Sequence, residues 1–144
     1  MPLAPRDLRS NRSELVAASP VPVLIISRCD IALAAGAAGV SLPERDISAA
    51  DARRLLGQRT IGRSVHSLQA AIDAQLDGAD FVIFGPVWAS ESHADSIPTG
   101  VEALAAVARE LGIPVLAIGG VTEDRIAECH AAGAAGYAAI RLFQ

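Results

Sequence analysis

Short, almost wholly apolar runs recur along the chain at residues 21–27, 39–42, 60–65, 81–85, 114–119 and 136–141. None alternates apolar with polar positions as a strand with one wet face does, so each predicts a strand of a parallel sheet covered by helices. Between them lie stretches of helical length and content at 48–56, 67–77, 100–111 and 122–132, preceded by a helix-like 7–19. Ser48, Ser67 and Thr122 stand where a side-chain oxygen can accept from the free amides of a first helical turn, and Glu123 and Asp124 suit the positive end of the helix dipole. Gly57, Gly78, Gly112 and Gly133 mark the helix ends, where glycine enters a left-handed turn at little cost.

A weak internal repeat supports the same alternation. LAAGAAGV at 33–40, QLDGADF at 75–81 and CHAAGAAGY at 129–137 each read as a helix end, a glycine turn and a strand start. One such unit repeated every 20 to 35 residues or so signals a (β/α) barrel or an open doubly wound sheet. No GxGxxG or Walker lysine motif is present, so a TIM (β/α)8-type barrel is the better fit. A closed barrel needs eight strands and only six can be counted. The expectation is therefore a single α/β domain over 1–144, an incomplete barrel of about six βα units lacking the first strand and helix and the final helix. Its exposed sheet edges would invite association, so a homodimer is expected.

Composition narrows the chemistry. Of 144 residues, 51% are hydrophobic, enough for a core, and 29 are alanine, so helix-to-sheet packing must rely on small side chains. The net charge is −4 and no basic run exists to meet a nucleic-acid backbone or an anionic membrane surface, so neither is an expected partner. All twelve cations are arginine, which excludes any mechanism that needs a lysine amine, such as a Schiff-base aldolase. Cys29 and Cys129 lack CxxC spacing and read as reduced, buried thiols. With no signal peptide and no apolar segment of membrane-spanning length, the expected location is the cytoplasm.

In parallel α/β folds the active-site mouth lies at the carboxyl ends of the strands. Those ends supply Ser27 and Arg28, then 41–46, then Ser64 and His66, then 86–93, then Gly119 and Gly120, and finally Arg141. Gly119 and Gly120 let the backbone approach an anion, with the helix near Thr122 aiming amides the same way and Arg141 adding charge; a plain tight turn is the alternative. Asp46 reads as a magnesium ligand or as a helix-capping aspartate before Ile47. His66 reads as a hydrogen-bond donor to substrate or a general base, or as a turn residue satisfying nearby carbonyls. His93 sits in a polar loop over 88–99 that could close over a ligand, and His130, at a helix end, reads as structural.

The runs IGRSVHS (61–67), GADFVIFGPVW (78–88) and IPVLAIGGVT (113–122) resemble the thiamine phosphate synthase and TenI family, and the similarity extends over about residues 3–143. The resemblance implies a (β/α)8 barrel. It also implies a transferase that joins a hydroxymethylpyrimidine diphosphate to a thiazole phosphate and releases pyrophosphate with the aid of Mg2+. On that basis Asp46 matches one metal aspartate, while Ile26 and Ser27 fall where an Asn-Asp pair is expected, so half of the metal site is missing. Arg6 falls at a pyrophosphate-gripping lysine and Ala4 at the neighbouring arginine. Ser90, Glu91, Ser92 and His93 fall on a Thr-x-Thr-Lys pattern, keeping the hydroxyls and losing the lysine. Ser64, Gly119 and Gly120 match the thiazole-phosphate residues, and Arg141 replaces a serine. The implied reacting set is Ser64, His66 and His93, with Arg6, Arg28, Ser64, Ser90, Ser92, Gly119, Gly120 and Arg141 on the phosphates. A TenI-like protein that binds a phosphorylated ligand without turnover is the alternative. Thiazole tautomerase activity is disfavoured because Pro86 stands where tautomerases carry a histidine.

Overall fold

The computed structural model describes residues 5–91, 94–139 and 142, with residues 5–10 described by their backbone. Helix α1 (Pro5–Ala18) leads, among the described residues, into five βα repeats and a sixth strand: β1 (Leu24–Ile26), α2 (Cys29–Ala35), β2 (Gly39–Leu42), α3 (Ala49–Leu56), β3 (Thr60–Val65), α4 (Leu68–Leu76), β4 (Phe81–Phe84), α5 (Val101–Glu110), β5 (Val115–Ile118), α6 (Ile126–Ala131) and β6 (Gly136–Ala138). The strands lie in sequence order and every neighbouring pair is parallel. This is the barrel arrangement left open, with β1 and β6 as its two edges among the described residues. Strands β1 and β6 are shorter than the runs at 21–27 and 136–141 predict.

Register explains why the runs are apolar on both faces. Val40, Leu42, Ile61, Val65, Val82, Phe84, Val115 and Ala117 share the helix-side face and are buried, meeting Ala32, Ala49, Ala52 and Ala71 of the helices. The small helix residues let α2, α3 and α4 lie close to the sheet, and each fully buried Leu or Phe there is worth roughly 1.5–3 kcal/mol. The inner face carries Ile26, Ser41, Gly62 and Phe81 in one row, with Ser64, Ile83 and Leu116 in the next. That face is not covered as the helix side is: Ile26 is 71% exposed.

Helix ends follow the predicted chemistry with two corrections. Ser48 accepts from Asp51 N and Ser67 from Ala70 N, as their positions predict. Thr122 does not cap: its hydroxyl donates to Asp124 at 2.6 Å, and the segment begins as a 3-10 turn (Glu123–Arg125) before α6. Gly112 is not a left-handed terminator, because α5 ends on extended Leu111 and the amides of Gly112 and Ile113 donate to Gln75 Oε1. His130 meets the Ala134 carbonyl at 3.4 Å, and Cys29 and Cys129 are buried free thiols.

Gly62 faces Phe81 across the β3–β4 ladder, and a Cβ there would overlap three carbons of the ring. Gly62→Ala is expected to destabilise the fold by about 1–3 kcal/mol through overpacking. Phe81→Leu in the same chain should recover part of the loss, read as the urea unfolding midpoint. An unchanged midpoint for Gly62→Ala would show that the ring is not seated there.

Candidate functional site at the carboxyl rim

Because all six strands run the same way, their carboxyl ends meet at one rim, and two hydrogen-bonded clusters form there. The first joins β1, β2 and β3. Ser27, just after β1, holds a left-handed backbone conformation (φ 63°), uncommon for a side chain bearing a Cβ. Its amide donates to the Ser41 carbonyl at 3.1 Å and its hydroxyl to Asp46 Oδ2 at 2.5 Å. Asp46 Oδ1 accepts from Ile47 N at 2.7 Å, so Asp46 closes its own turn while Ser48, two residues on, caps α3. The Ser27 hydroxyl first, then the Ile47 amide, and then the positive charge of Arg63 hold the Asp46 carboxyl below its ordinary value.

Glu44 sits on the same loop. Burial works against its charge, but the hydrogen bonds from His66 prevail and hold the carboxyl below its ordinary value. Its Oε1 accepts from His66 N at 3.1 Å and its Oε2 lies 3.0 Å from His66 Nδ1. An ionised carboxylate only accepts, so the network assigns the proton to Nδ1 and leaves Nε2 for a ligand. His66 is 57% exposed, which opens that nitrogen to the rim. Beneath this loop a cleft of 530 Å³ runs between Glu44, Asp46, Ser48, Arg63 and Val65 and, opposite them, Asp73 of α4 and Asp77 at its C-terminal end.

The second cluster joins the loops after β4 and β5. Val87 N donates to the Ile118 carbonyl and Trp88 N to the Gly119 carbonyl, laying the 86–90 segment on the glycine turn. Gly119 and Gly120 both have positive φ (93° and 66°), and a Cβ on either would strike Pro86, Trp88 or the Ala89 carbonyl. Packing and backbone conformation thus both require these glycines. Arg125 donates to the Gly120 carbonyl at 2.8 Å and lies 5.0 Å over the Trp88 ring. Ser90 Oγ is shielded from solvent and has no partner among the described residues. The base of the 88–99 loop is pinned by Thr99 N on the Pro86 carbonyl and Gly100 N on that of Val87.

The sequence-predicted residues divide accordingly. Ser64 is on the inner face of β3, and Asp46, His66, Ser90, Gly119 and Gly120 are at the rim. Arg28 is tied to Asp30, in the first turn of α2, by two hydrogen bonds of 2.9 and 2.7 Å, which bring the exposed Asp30 carboxyl down to about 2. Ser92, His93 and Arg141 lie outside the described residues, as does the side chain of Arg6. Among the described residues no group of three or more His, Cys, Asp or Glu stands ready to hold a metal. Three contacts escaped the sequence reading: Glu44 on His66, Arg125 on Trp88, and Arg63 behind the loop. Only Arg63 leaves a signal, as an arginine within an apolar strand at a helix-facing position.

A family profile described as Thiamine monophosphate synthase matches residues 6–143. The chain is 52% identical over 120 residues to a relative from Geobacter sulfurreducens, covering 82% of this chain and 56% of that one. It is 48% identical over 115 residues to the thiamine-phosphate synthase of Anaeromyxobacter dehalogenans, covering 78% and 52%. Among solved structures, the thiamine phosphate pyrophosphorylase from Pyrococcus furiosus superposes with a TM-score of 0.84 at 31% identity, over 97% of this chain and 69% of that one. The chain thus spans little more than half the length of these curated relatives.

Both carboxyls are depressed in the folded chain, from ordinary values of 3.8 for Asp46 and 4.5 for Glu44. The stability they add is complete above those unfolded values and is lost as pH falls through the folded ones. Ser27→Ala removes the largest cause at Asp46, so its titration, followed by carboxyl-carbon NMR, is expected to move up towards 3.8. A titration that stays where it was would show that the Ser27 hydroxyl does not hold the carboxylate.

Proposed function

Because the chain belongs to the thiamine monophosphate synthase family, whose profile spans residues 6–143, we propose that it works in thiamine biosynthesis. Its reaction would join hydroxymethylpyrimidine diphosphate to thiazole phosphate with release of pyrophosphate. The observation that carries this reading is the second rim cluster. Ser90 holds a solvent-shielded hydroxyl without a partner on the loop that packs against the Gly119–Gly120 turn. A buried donor left unpaired is costly, and a phosphate oxygen would satisfy it.

In this reading Ser64, Ser90 and the Gly119–Gly120 turn hold the thiazole phosphate, and the departing diphosphate lies towards β1 and β2. His66, oriented by Glu44, offers Nε2 to the bound substrates from the end of β3. The work of the site is positioning and charge stabilisation rather than proton abstraction. Each oxygen of Asp46 accepts one hydrogen bond and a carboxylate oxygen can take two, so Asp46 fits Mg2+ bound largely through substrate phosphates. When bound, that ion supplies charge neutralisation for the diphosphate, with Asp46 and the Ser27 hydroxyl as the residues that would hold it. Arg6, Arg28, Ser92 and Arg141 join the proposed phosphate-binding set, and His93 joins the proposed reacting set with Ser64 and His66. Two buried free thiols suit a reducing cytoplasm, and the open strand edges suit a homodimer. No helix among the described residues is long and apolar enough to cross a membrane.

The Ser27–Asp46 hydrogen bond favours a second reading, because it engages the one carboxylate at the metal position with a hydroxyl in place of a second carboxylate. That reading is a phosphate-ester binder without turnover.

Product formation from the two substrates, with and without Mg2+, on a sample with confirmed cooperative unfolding, separates the two. The synthase reading expects Mg2+-dependent thiamine phosphate. It also expects Ser90→Ala to raise the KM for thiazole phosphate about tenfold, the loss of one hydrogen bond worth ~1.4 kcal/mol. A folded sample that yields no product, yet binds thiamine phosphate by calorimetry equally well with and without Mg2+, would decide for the binder.

A further inference from the structure

Arg63 lies between two inward-facing residues of β3, Gly62 and Ser64, so strand alternation turns its side chain to the helix side with Ile61, Val65 and Val82. It is 5% exposed, the buried charged residue among those described, and it is in none of the ion pairs formed by the described residues, although its charge helps hold Asp46 ionised. A guanidinium is a costly way to fill such a position, and an apolar side chain of similar volume would fill it more cheaply. Its donors go elsewhere: Nη1 to the Pro43 carbonyl at 2.6 Å and Nη2 to the Ile47 carbonyl. Those two carbonyls bracket the segment that carries Glu44 and Asp46. Pro43 O also accepts from Asp46 N at 3.1 Å, so the same oxygen anchors the turn from inside the loop and from the strand. Between the loop, β3 and α4 lies the 530 Å³ cleft, and Arg63 lines it on the strand side while reaching the loop carbonyls.

We infer that Arg63 is a positioning residue which, from behind the sheet, clamps loop 43–47 so that Glu44 meets His66 and Asp46 meets Ser27 at the rim. A rigid planar fork suits two acceptors at a fixed separation, whereas a lysine has a single flexible head. The functional consequence rests on the synthase reading above; the clamp itself does not.

Amide hydrogen exchange by NMR on the folded chain, comparing the natural sequence with Arg63→Met and Arg63→Lys, tests it. The amides of Ile47 and His66 donate to the carboxylates of Asp46 and Glu44 and so report the loop's placement. In Arg63→Met both are expected to exchange about tenfold faster, the loss of the guanidinium's part-buried hydrogen bonds to the Pro43 and Ile47 carbonyls, with Val82 and Phe84 of β4 unchanged. Arg63→Lys, which keeps the charge and most of the length, should fold where Met fails and give an intermediate acceleration. Unchanged exchange at Ile47 and His66 in the lysine variant, or equal loosening of the β4 amides in either variant, would overturn the clamp and leave Arg63 a core filler. With the pyrimidine diphosphate as probe, Arg63→Lys should raise KM more than it lowers kcat. Should the natural chain form no product, the synthase reading fails while the exchange data still decide the clamp.

Discussion

A parallel strand has two constraints built into it, a direction and a two-residue alternation, and the molecule follows from applying both to six strands in sequence order. Common direction places every carboxyl end at one rim, so residues far apart in sequence, Ser27, Asp46, His66 and Gly119, come to the same end of the sheet. Alternation then decides what each strand residue does. In β3 the consecutive residues Arg63 and Ser64 turn to opposite faces, one into the helix layer and the other towards the concave interior. A slip of one residue would exchange them, placing a serine in the core and an arginine in the candidate site.

Ser27 shows how local backbone energy is set against the site. A left-handed conformation costs a residue with a Cβ about 1–2 kcal/mol. A hydrogen bond to a charged acceptor is worth about 1.5–3 kcal/mol, and Ser27 donates one to Asp46 at 2.5 Å. The two magnitudes are similar, so the contact to Asp46 offsets the cost of the turn. The Ser27 amide on the Ser41 carbonyl and the Arg28 amide on the Ile26 carbonyl hold the same turn from the backbone.

Much of the architecture was legible in the sequence because it is written in short-range pattern. The apolar runs, the caps at Ser48 and Ser67 and the left-handed Gly57, Gly78 and Gly133 each depend on a few neighbouring residues. Thr122 failed because the segment opens as a 3-10 turn in which Arg125 N donates to the Thr122 backbone carbonyl rather than to its hydroxyl, and Gly112 failed because Gln75, on another helix, captures its amide. The rim residues were legible as a set, since strand ends can be read from the runs, but their pairings were not. Glu44 on His66, Arg63 on two carbonyls and Arg125 over Trp88 join segments whose relative placement exists only once the sheet has formed.

The two rim clusters differ in the hydrogen-bonding groups they present. On the β1–β3 side the described charges facing the rim include two carboxylates, Glu44 and Asp46, each held ionised by its hydrogen bonds. On the β5 side stand the glycine turn, the unpartnered Ser90 hydroxyl and the Arg125 guanidinium held over Trp88. Charge alone does not separate the two sides, because Arg28 and Arg45 accompany the carboxylates of the first and Glu123 and Asp124 flank Arg125 on the second; they differ in the hydrogen-bonding groups they present. An anion approaching Asp46 directly would have to bring a cation with it, since the carboxylate has no proton to offer near neutral pH. The asymmetry lies in the rim itself and does not depend on which ligand fills it.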